Sequence, residues 1–116
     1  MTADPEFSII VPGYDEEHSI ADTIGNIRSV MRRANLSSYE LVIVNDGSRD
    51  GTREVLEKLK QADTSLLVIH HEFNRGYGAA LKTGIRASHG WLIAITDADG
   101  TYPNDRLPDL IELCAD

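Results

Sequence analysis

Trp91-Leu92-Ile93-Ala94-Ile95-Thr96-Asp97-Ala98-Asp99-Gly100 is an apolar, largely β-branched and aromatic run that stops abruptly at two carboxylates and a glycine. An apolar run bounded this way predicts a buried parallel strand ending in a loop. Side chains alternate along a strand, so Asp97 and Asp99 share one side if the extended geometry persists through Ala98. Two like charges held so close raise each other's pKa unless a cation joins them. A hard divalent metal is the natural partner, because Mg²⁺ is usually held by one or two carboxylates while phosphates and waters complete its octahedron. The plainer reading is a loop cap, for which a single Asp would suffice.

Working outward, strands and helices alternate. Phe7-Ser8-Ile9-Ile10-Val11 predicts a strand stopped by Pro12 and Gly13, with Tyr14-Asp15-Glu16-Glu17 as its loop. Ile20, Ile24, Ile27 and Met31 recur at helical spacing, and Arg28, Arg32 and Arg33 load the C-terminal end of that helix, where its dipole favours cations. Leu41-Val42-Ile43-Val44 predicts a second strand running into Asn45-Asp46-Gly47-Ser48-Arg49-Asp50-Gly51-Thr52, with Asp50 as N-cap of a helix whose inner face carries Val55, Leu56 and Leu59. Leu66 to Ile69 is the third strand, followed by a helix from about Ala79 to Ser88 with Leu81 and Ile85 turned inward. After the strand at Trp91, a last helix shows Leu107, Leu110, Ile111 and Cys114 in one stripe, with Pro108 in its first turn. Such alternation is the signature of a doubly wound α/β sheet, in which ligands bind outside the carboxyl ends of the strands. The acidic segments 12–17, 45–52 and 97–101 all follow strand ends, so one crevice can collect them.

Composition narrows the function. A chain of 116 residues makes one small domain at most. Its net charge of -8, from 11 basic and 19 acidic residues, argues against binding a nucleic-acid backbone or an anionic membrane surface. The single cysteine, Cys114, excludes an internal disulfide. No apolar run approaches the length of a membrane span and no secretory signal opens the chain, so a cytoplasmic location is expected.

The loops have their own chemistry. Pro12-Gly13-Tyr14-Asp15-Glu16 offers a flat aromatic and carboxylates suited to a base or ribose, or else a plain cluster of acids ahead of a helix. Asp46 can accept an N–H from a base edge, or merely close an Asx-turn. Gly76 and Gly78 precede a helix whose free N–H groups can meet an anionic oxygen, with Arg75 and Lys82 adding charge, although Leu81 stands where a dinucleotide fingerprint has its third glycine. His70 and His71 lack ligand spacing and read as structural or surface residues.

Taken in order, these words resemble family 2 glycosyltransferases of the GT-A fold. Val11-Pro12-Gly13-Tyr14-Asp15-Glu16-Glu17 matches that family's VPxYNE opening, and Val44 to Thr52 its VDDGSxDGT. Asn74-Arg75-Gly76-Tyr77-Gly78-Ala79-Ala80 matches NxGxGxA, and Asp97-Ala98-Asp99-Gly100 the DxD. The resemblance implies a Rossmann-like GT-A nucleotide-diphospho-sugar transferase fold, a mainly parallel sheet with helices on both faces, truncated here to a single partial domain over residues 1–116. It implies that Pro12, Tyr14 and Glu16 line the pocket for base and ribose, that Asp46 contacts the base, and that Gly76 and Lys82 sit near it. Asp97 would face ribose or metal, and Asp99 would hold a Mg²⁺ or Mn²⁺ ion bridging the donor's diphosphate. Asp15 replaces the usual Asn and Asn45 the first Asp of its pair, and since the second, Asp46, usually makes the base contact, binding is expected to survive. Gly100-Thr101-Tyr102-Pro103 looks most like the branch acting on polyprenyl phosphates, similar to dolichyl-phosphate mannose or glucose synthases, where a Gln often stands at the place of Thr101.

The resemblance further implies an inverting transfer of sugar from a UDP- or GDP-sugar to an acceptor. In this family the general base and most acceptor contacts follow the DxD segment, and the chain stops one helix beyond it, so the chain alone is expected to bind nucleotide and metal without catalysing transfer. Two rivals use the same residues. Asp97-Ala98-Asp99-Gly100-Thr101 also looks like the DxDGT word of haloacid dehalogenase-like phosphatases, with Asp97 as nucleophile and Asp99 as acid-base. The other is a non-catalytic nucleotide-binding domain, or one that associates with itself through open sheet edges.

Overall fold

The sheet runs β3-β2-β1-β4, with all neighbours parallel. The structure, a computed structural model, describes residues 4–99 and 104–109. Along the chain come β1 (Phe7–Gly13), α1 (Ile20–Arg33), β2 (Tyr39–Asn45), α2 (Thr52–Ala62), β3 (Leu66–His70), α3 (Tyr77–Ala87), β4 (Leu92–Ile95) and a 3₁₀ turn at Asn104–Arg106. The chain steps from β1 outward to β3, then returns to the other side of β1. That reversal makes a switch point between β1 and β4, where α/β sheets hold their ligands.

Helices cover both faces. On one side Ile20, Ile24, Ile27 and Met31 of α1, with Leu56 of α2, pack on Phe7, Ile9, Val11, Leu41 and Ile43. On the other, Ala80 of α3 packs on Ile10, Val42 and Val44, with Leu81 partly buried beside them. Each fully buried Ile or Leu contributes roughly 1.5–3 kcal/mol. The predicted inner faces of α1 and α2 are therefore the observed ones.

Four local expectations need correction. β1 does not stop before Pro12 and Gly13 but includes both. Ile10 accepts the N–H of Thr96 at 3.0 Å on the β4 side, and strand alternation turns Pro12 to that same side, where the ladder with β4 has ended and a missing N–H costs nothing. In α3, Ile85 is 43% exposed instead of inward. Gly84 brings that helix close to the sheet, since a Cβ there would stand 2.5 Å from Cγ2 of Ile10, and the contact stripe runs through Ala80 and Gly84.

β4 is an edge strand, not a buried one. Trp91, Ile93 and Ile95 are 67%, 38% and 37% exposed, while Leu92 and Ala94 pack on the α1 side. The reason is coverage: α3 lies over β1 and β2. The N-cap position of α2 belongs to Gly51, and Asp50, one residue earlier, accepts the Thr52 N–H at 3.0 Å.

Leu107 is buried as predicted, and Pro108 lies in the helical turn 107–109. Leu110, Ile111 and Cys114, like Gly100, Thr101, Tyr102 and Pro103, lie outside the described residues. At the amino ends of the strands, Ser8 Oγ donates to Glu40 Oε2 at 2.6 Å, Gly90 N donates to Ser8 Oγ at 2.8 Å, and His89 N also donates to Glu40. No helix among the described residues is long and apolar enough to cross a membrane.

Candidate functional site

The loops after β1 and β2 are laced together by their own polar groups. Asp15 N donates to Ser48 Oγ at 2.9 Å, Glu16 N to Thr52 Oγ1 at 2.9 Å, and Glu17 N to Asp50 Oδ2 at 3.3 Å. Asp15 Oδ1 returns the contact by accepting Arg49 N at 2.7 Å. Turn residues that compete poorly for helix or strand here satisfy one another's backbone across two loops. The carboxyl ends of β1 and β2 thus form one rigid rim.

Asp46 ties a third loop to that rim. Its backbone N–H donates to Gly13 O at 2.8 Å, which fixes the residue just past the β1–β2 ladder. The side chain is buried, and its two oxygens receive four donors: His71 Nδ1 at 2.8 Å, Arg75 N at 2.9 Å, Gly76 N at 3.0 Å and Asn74 Nδ2 at 3.2 Å. Burial alone pushes the Asp46 carboxyl upward, yet the bond from His71 and the N–H groups of Arg75 and Gly76 outweigh it and hold the pKa below the ordinary Asp value. The N–H of Gly76, read from sequence as free for an anionic oxygen, is thereby engaged. Gly76, at the N-cap position of α3, has no side chain with which to cap the helix.

At the switch point, the turn 97–99 leans onto the tip of β1. A Cβ on Gly13 would stand 2.9 Å from Cβ of Ala98, so only glycine permits this approach. Ser19 Oγ and Thr23 Oγ1, from the start of α1, both donate to Ala98 O at 3.0 Å. Thr96 Oγ1 donates to Asn104 Oδ1 at 2.6 Å and anchors the far side of the turn.

Between these loops opens a cleft of about 430 Å³. Pro12, Tyr14, Glu16, Asp46, Gly76, Asp97 and Asp99, all singled out from sequence, line it together. Lys82, exposed on α3 two residues beyond Ala80, is not among the lining residues. Asp97 and Asp99 do line one space, but β4 ends at Ile95 and residues 98 and 99 form a turn, so the turn brings the two carboxylates together and strand alternation does not. No cluster of three or more His, Cys, Asp or Glu side chains able to hold a metal occurs among the described residues. This donor set fits a hard cation that shares a ligand's phosphates, and does not fit an all-protein cage.

Sequence reasoning overlooked Gly13, Asn74, Tyr77, Ala80 and Ala98, which complete the lining. Asn74 and Tyr77 flank Gly76 in a word already singled out, so their place was available from the motif. His71, read as structural or surface, is buried and bonded to Asp46. Only the pairing of β3 beside β2, Asn45 opposite His70, brings His71 to Asp46.

Residues 8–116 match the sequence profile of Glycosyl transferase family 2. An undecaprenyl-phosphate 4-deoxy-4-formamido-L-arabinose transferase of Pseudomonas paraeruginosa is 34% identical over 110 residues, which cover 93% of this chain and 32% of that protein. A dolichyl-phosphate β-glucosyltransferase of Trichomonas vaginalis is 33% identical over 102 residues, covering 84% of this chain and 32% of that one. Among solved structures, a mannosyltransferase from Pyrobaculum calidifontis in complex with GDP-Man and Mn²⁺ superposes with a TM-score of 0.81 at 30% identity, over 99% of this chain and 34% of its own. The chain spans about a third of the length of the curated relatives it matches. The haloacid dehalogenase-like reading of the Asp97 word finds no support in these likenesses.

Proposed function

Because this chain belongs to glycosyl transferase family 2, we propose that residues 1–116 form the nucleotide-binding half of a GT-A domain. The complete protein then moves a sugar, with inversion, from a UDP- or GDP-sugar to an acceptor. The observation that carries this reading is the cleft itself, in which the tips of β1, β2 and β4 bring Tyr14, Asp46 and Asp99 to one space.

In this reading Pro12, Tyr14 and Glu16 bound the subsite for base and ribose. Tyr14 is half-exposed at the rim and offers a ring face, and Glu16 offers a carboxylate to hydroxyls. Asp46 closes the base end. Its four lone-pair positions are taken by His71, Asn74, Arg75 and Gly76, so its part in recognition is to hold those groups in place. Lys82 is outside the cleft lining, so it is not counted among the contacts.

Asp97 and Asp99 are the residues that would hold Mg²⁺ or Mn²⁺ together with the diphosphate. Such an ion would neutralise the charge building on the departing nucleoside diphosphate. The Mn²⁺ and GDP-Man of the Pyrobaculum structure support this assignment. A polyprenyl phosphate is the acceptor that the two lipid-phosphate relatives favour, and an acceptor already anionic needs a general base least. It would place the reaction at a membrane surface.

Titration of the chain with UDP and with GDP, each with and without Mn²⁺, tests the proposal. The expected result is metal-dependent binding of one of them that Asp99→Ala weakens by at least tenfold. Absence of binding by the parent chain, or equal binding by Asp99→Ala, would overturn it. The chain alone is expected not to turn over a radiolabelled nucleotide-sugar. A second reading is favoured by the edge position of β4 with Ile93 and Ile95 exposed on it and Trp91 exposed just before it, namely pairing of this edge with another strand, which sedimentation would detect as association.

A further inference from the structure

β3 runs out into two histidines that the transfer chemistry leaves unused, and they make different contacts. His70 Nδ1 accepts from Asn45 Nδ2 at 2.9 Å, and its Nε2 donates to the exposed Glu57 Oε1 at 2.8 Å. His71 is 7% exposed and lies between Asp46 Oδ1 at 2.8 Å from Nδ1 and Thr83 Oγ1 at 2.8 Å from Nε2. A carboxylate can only accept, so the ring carries its hydrogen on Nδ1. A threonine hydroxyl can donate or accept, so the Asp46 bond survives whether the ring is neutral or protonated.

His71 is absent from the cleft lining, yet everything it orients ends there. Asp46 holds the N–H groups of Arg75 and Gly76 and the amide of Asn74, and these fix the loop that carries Asn74, Gly76 and Tyr77 into the cleft wall. Without the Nδ1 hydrogen, Oδ1 would keep one donor in a place almost closed to water, and the carboxylate would turn to recover another. The loop would follow it.

Resting on the nucleotide reading above, we infer that His71 is a positioning residue of that cleft, acting through Asp46 on the loop 74–76 and so on nucleotide affinity. The bond from the far end of the ring to Thr83, the seventh residue of α3, lies outside this chain of contacts.

The two amide side chains separate the two ends of the ring. His71→Asn offers an N–H near the place of Nδ1 and gives up Thr83, whereas His71→Gln reaches toward the place of Nε2 and gives up Asp46. Titration of the chain with UDP and GDP plus Mn²⁺ is expected to find His71→Asn within about threefold of the parent and His71→Gln at least about tenfold weaker. Both variants should lose similar amounts of thermal stability. Hydrogen exchange at the amides of Arg75 and Gly76, read without any nucleotide, should accelerate in His71→Gln and stay near the parent rate in His71→Asn and Thr83→Val. Equal affinities in the Asn and Gln variants, or equal exchange at those two amides, would overturn the inference. A parent chain that binds neither nucleotide would overturn the reading of the cleft, and the exchange pattern would then report on the link by itself.

Discussion

Asp15 Oδ1 accepts the backbone N–H of Arg49 at 2.7 Å, and this one bond crosses from the loop after β1 to the loop after β2. Asp15 itself sits at a φ of 54°, a left-handed conformation that Asn and Asp tolerate better than other side chains. Both facts concern the acceptor oxygen and the short polar side chain, neither the charge. Asp15→Asn is therefore expected to leave the urea midpoint nearly unchanged. Asp15→Ala, which loses the acceptor and strains the backbone, should cost about 1–2 kcal/mol in the same measurement.

Gly84 and Ile10 meet face to face between α3 and the sheet. A methyl group on Gly84 would stand 2.5 Å from Ile10 Cγ2 and 3.3 Å from Val44 Cγ2, two β-branched side chains with little freedom to move away. Gly84→Ala is expected to destabilise the chain by about 1–3 kcal/mol despite the better helix propensity of alanine. The double change Gly84→Ala with Ile10→Val, measured by thermal unfolding, does not restore the parent, because valine keeps the offending branch.

Gly47 has a φ of +68°, and a Cβ there would lie 2.1 Å from the carbonyl carbon of Phe73 and 2.3 Å from Asn74 N. Backbone cannot step aside as a side-chain end can. Gly47→Ala should cost at least about 2 kcal/mol and should displace the 73–76 segment from Asp46. Chemical shifts of the Arg75 and Gly76 amides would register that displacement even in the fraction that stays folded.

Acid should unfold the chain partly through Asp46. Its folded pKa is depressed, so its contribution is present above the unfolded carboxylate value of about 3.9 and is lost as pH falls through the lower folded value. Glu40 shifts the same way, because the bonds from Ser8 and His89 outweigh the burial that opposes its charge. The His89 imidazole, raised by its bond to Glu40, works in the other sense, present below the unfolded value of about 6.5 and lost as pH rises through the folded one. Urea midpoints measured across pH are expected to fall below about pH 4, and Asp46→Asn should start lower and show a shallower acid limb.

The α/β alternation, the inner faces of α1 and α2 and most of the cleft residues were legible because each depends on a short word at a strand end. What escaped the sequence depends on strand order. Ile93 and Ile95 read as buried because an apolar run looks the same at the edge of a sheet as in its centre, and only the position of β4 outside β1 exposes them. Ile85 read as inward because helical spacing says nothing of how closely Gly84 lets α3 approach. Asp46 read as an open acceptor, since the residues that saturate it lie 25 to 30 positions away along the chain. Lys82 read as a neighbour of the base from its helix and from the family resemblance, and it falls outside the lining because α3 turns Ala80, not Lys82, toward the cleft.

β1 lies between β2 and β4, and the tips of all three carry the cleft. Precision at the binding surface is consequently inherited from backbone pairing deep in the sheet, not tuned loop by loop. A slip of one position between β1 and either neighbour would carry a whole wall of the cleft by about 3.3 Å and exchange inward for outward side chains. Variants at Ile9, Ile10 or Val11 that keep the fold but relax that pairing should blur every subsite at once, a pattern of failure that truncating one lining side chain does not reproduce.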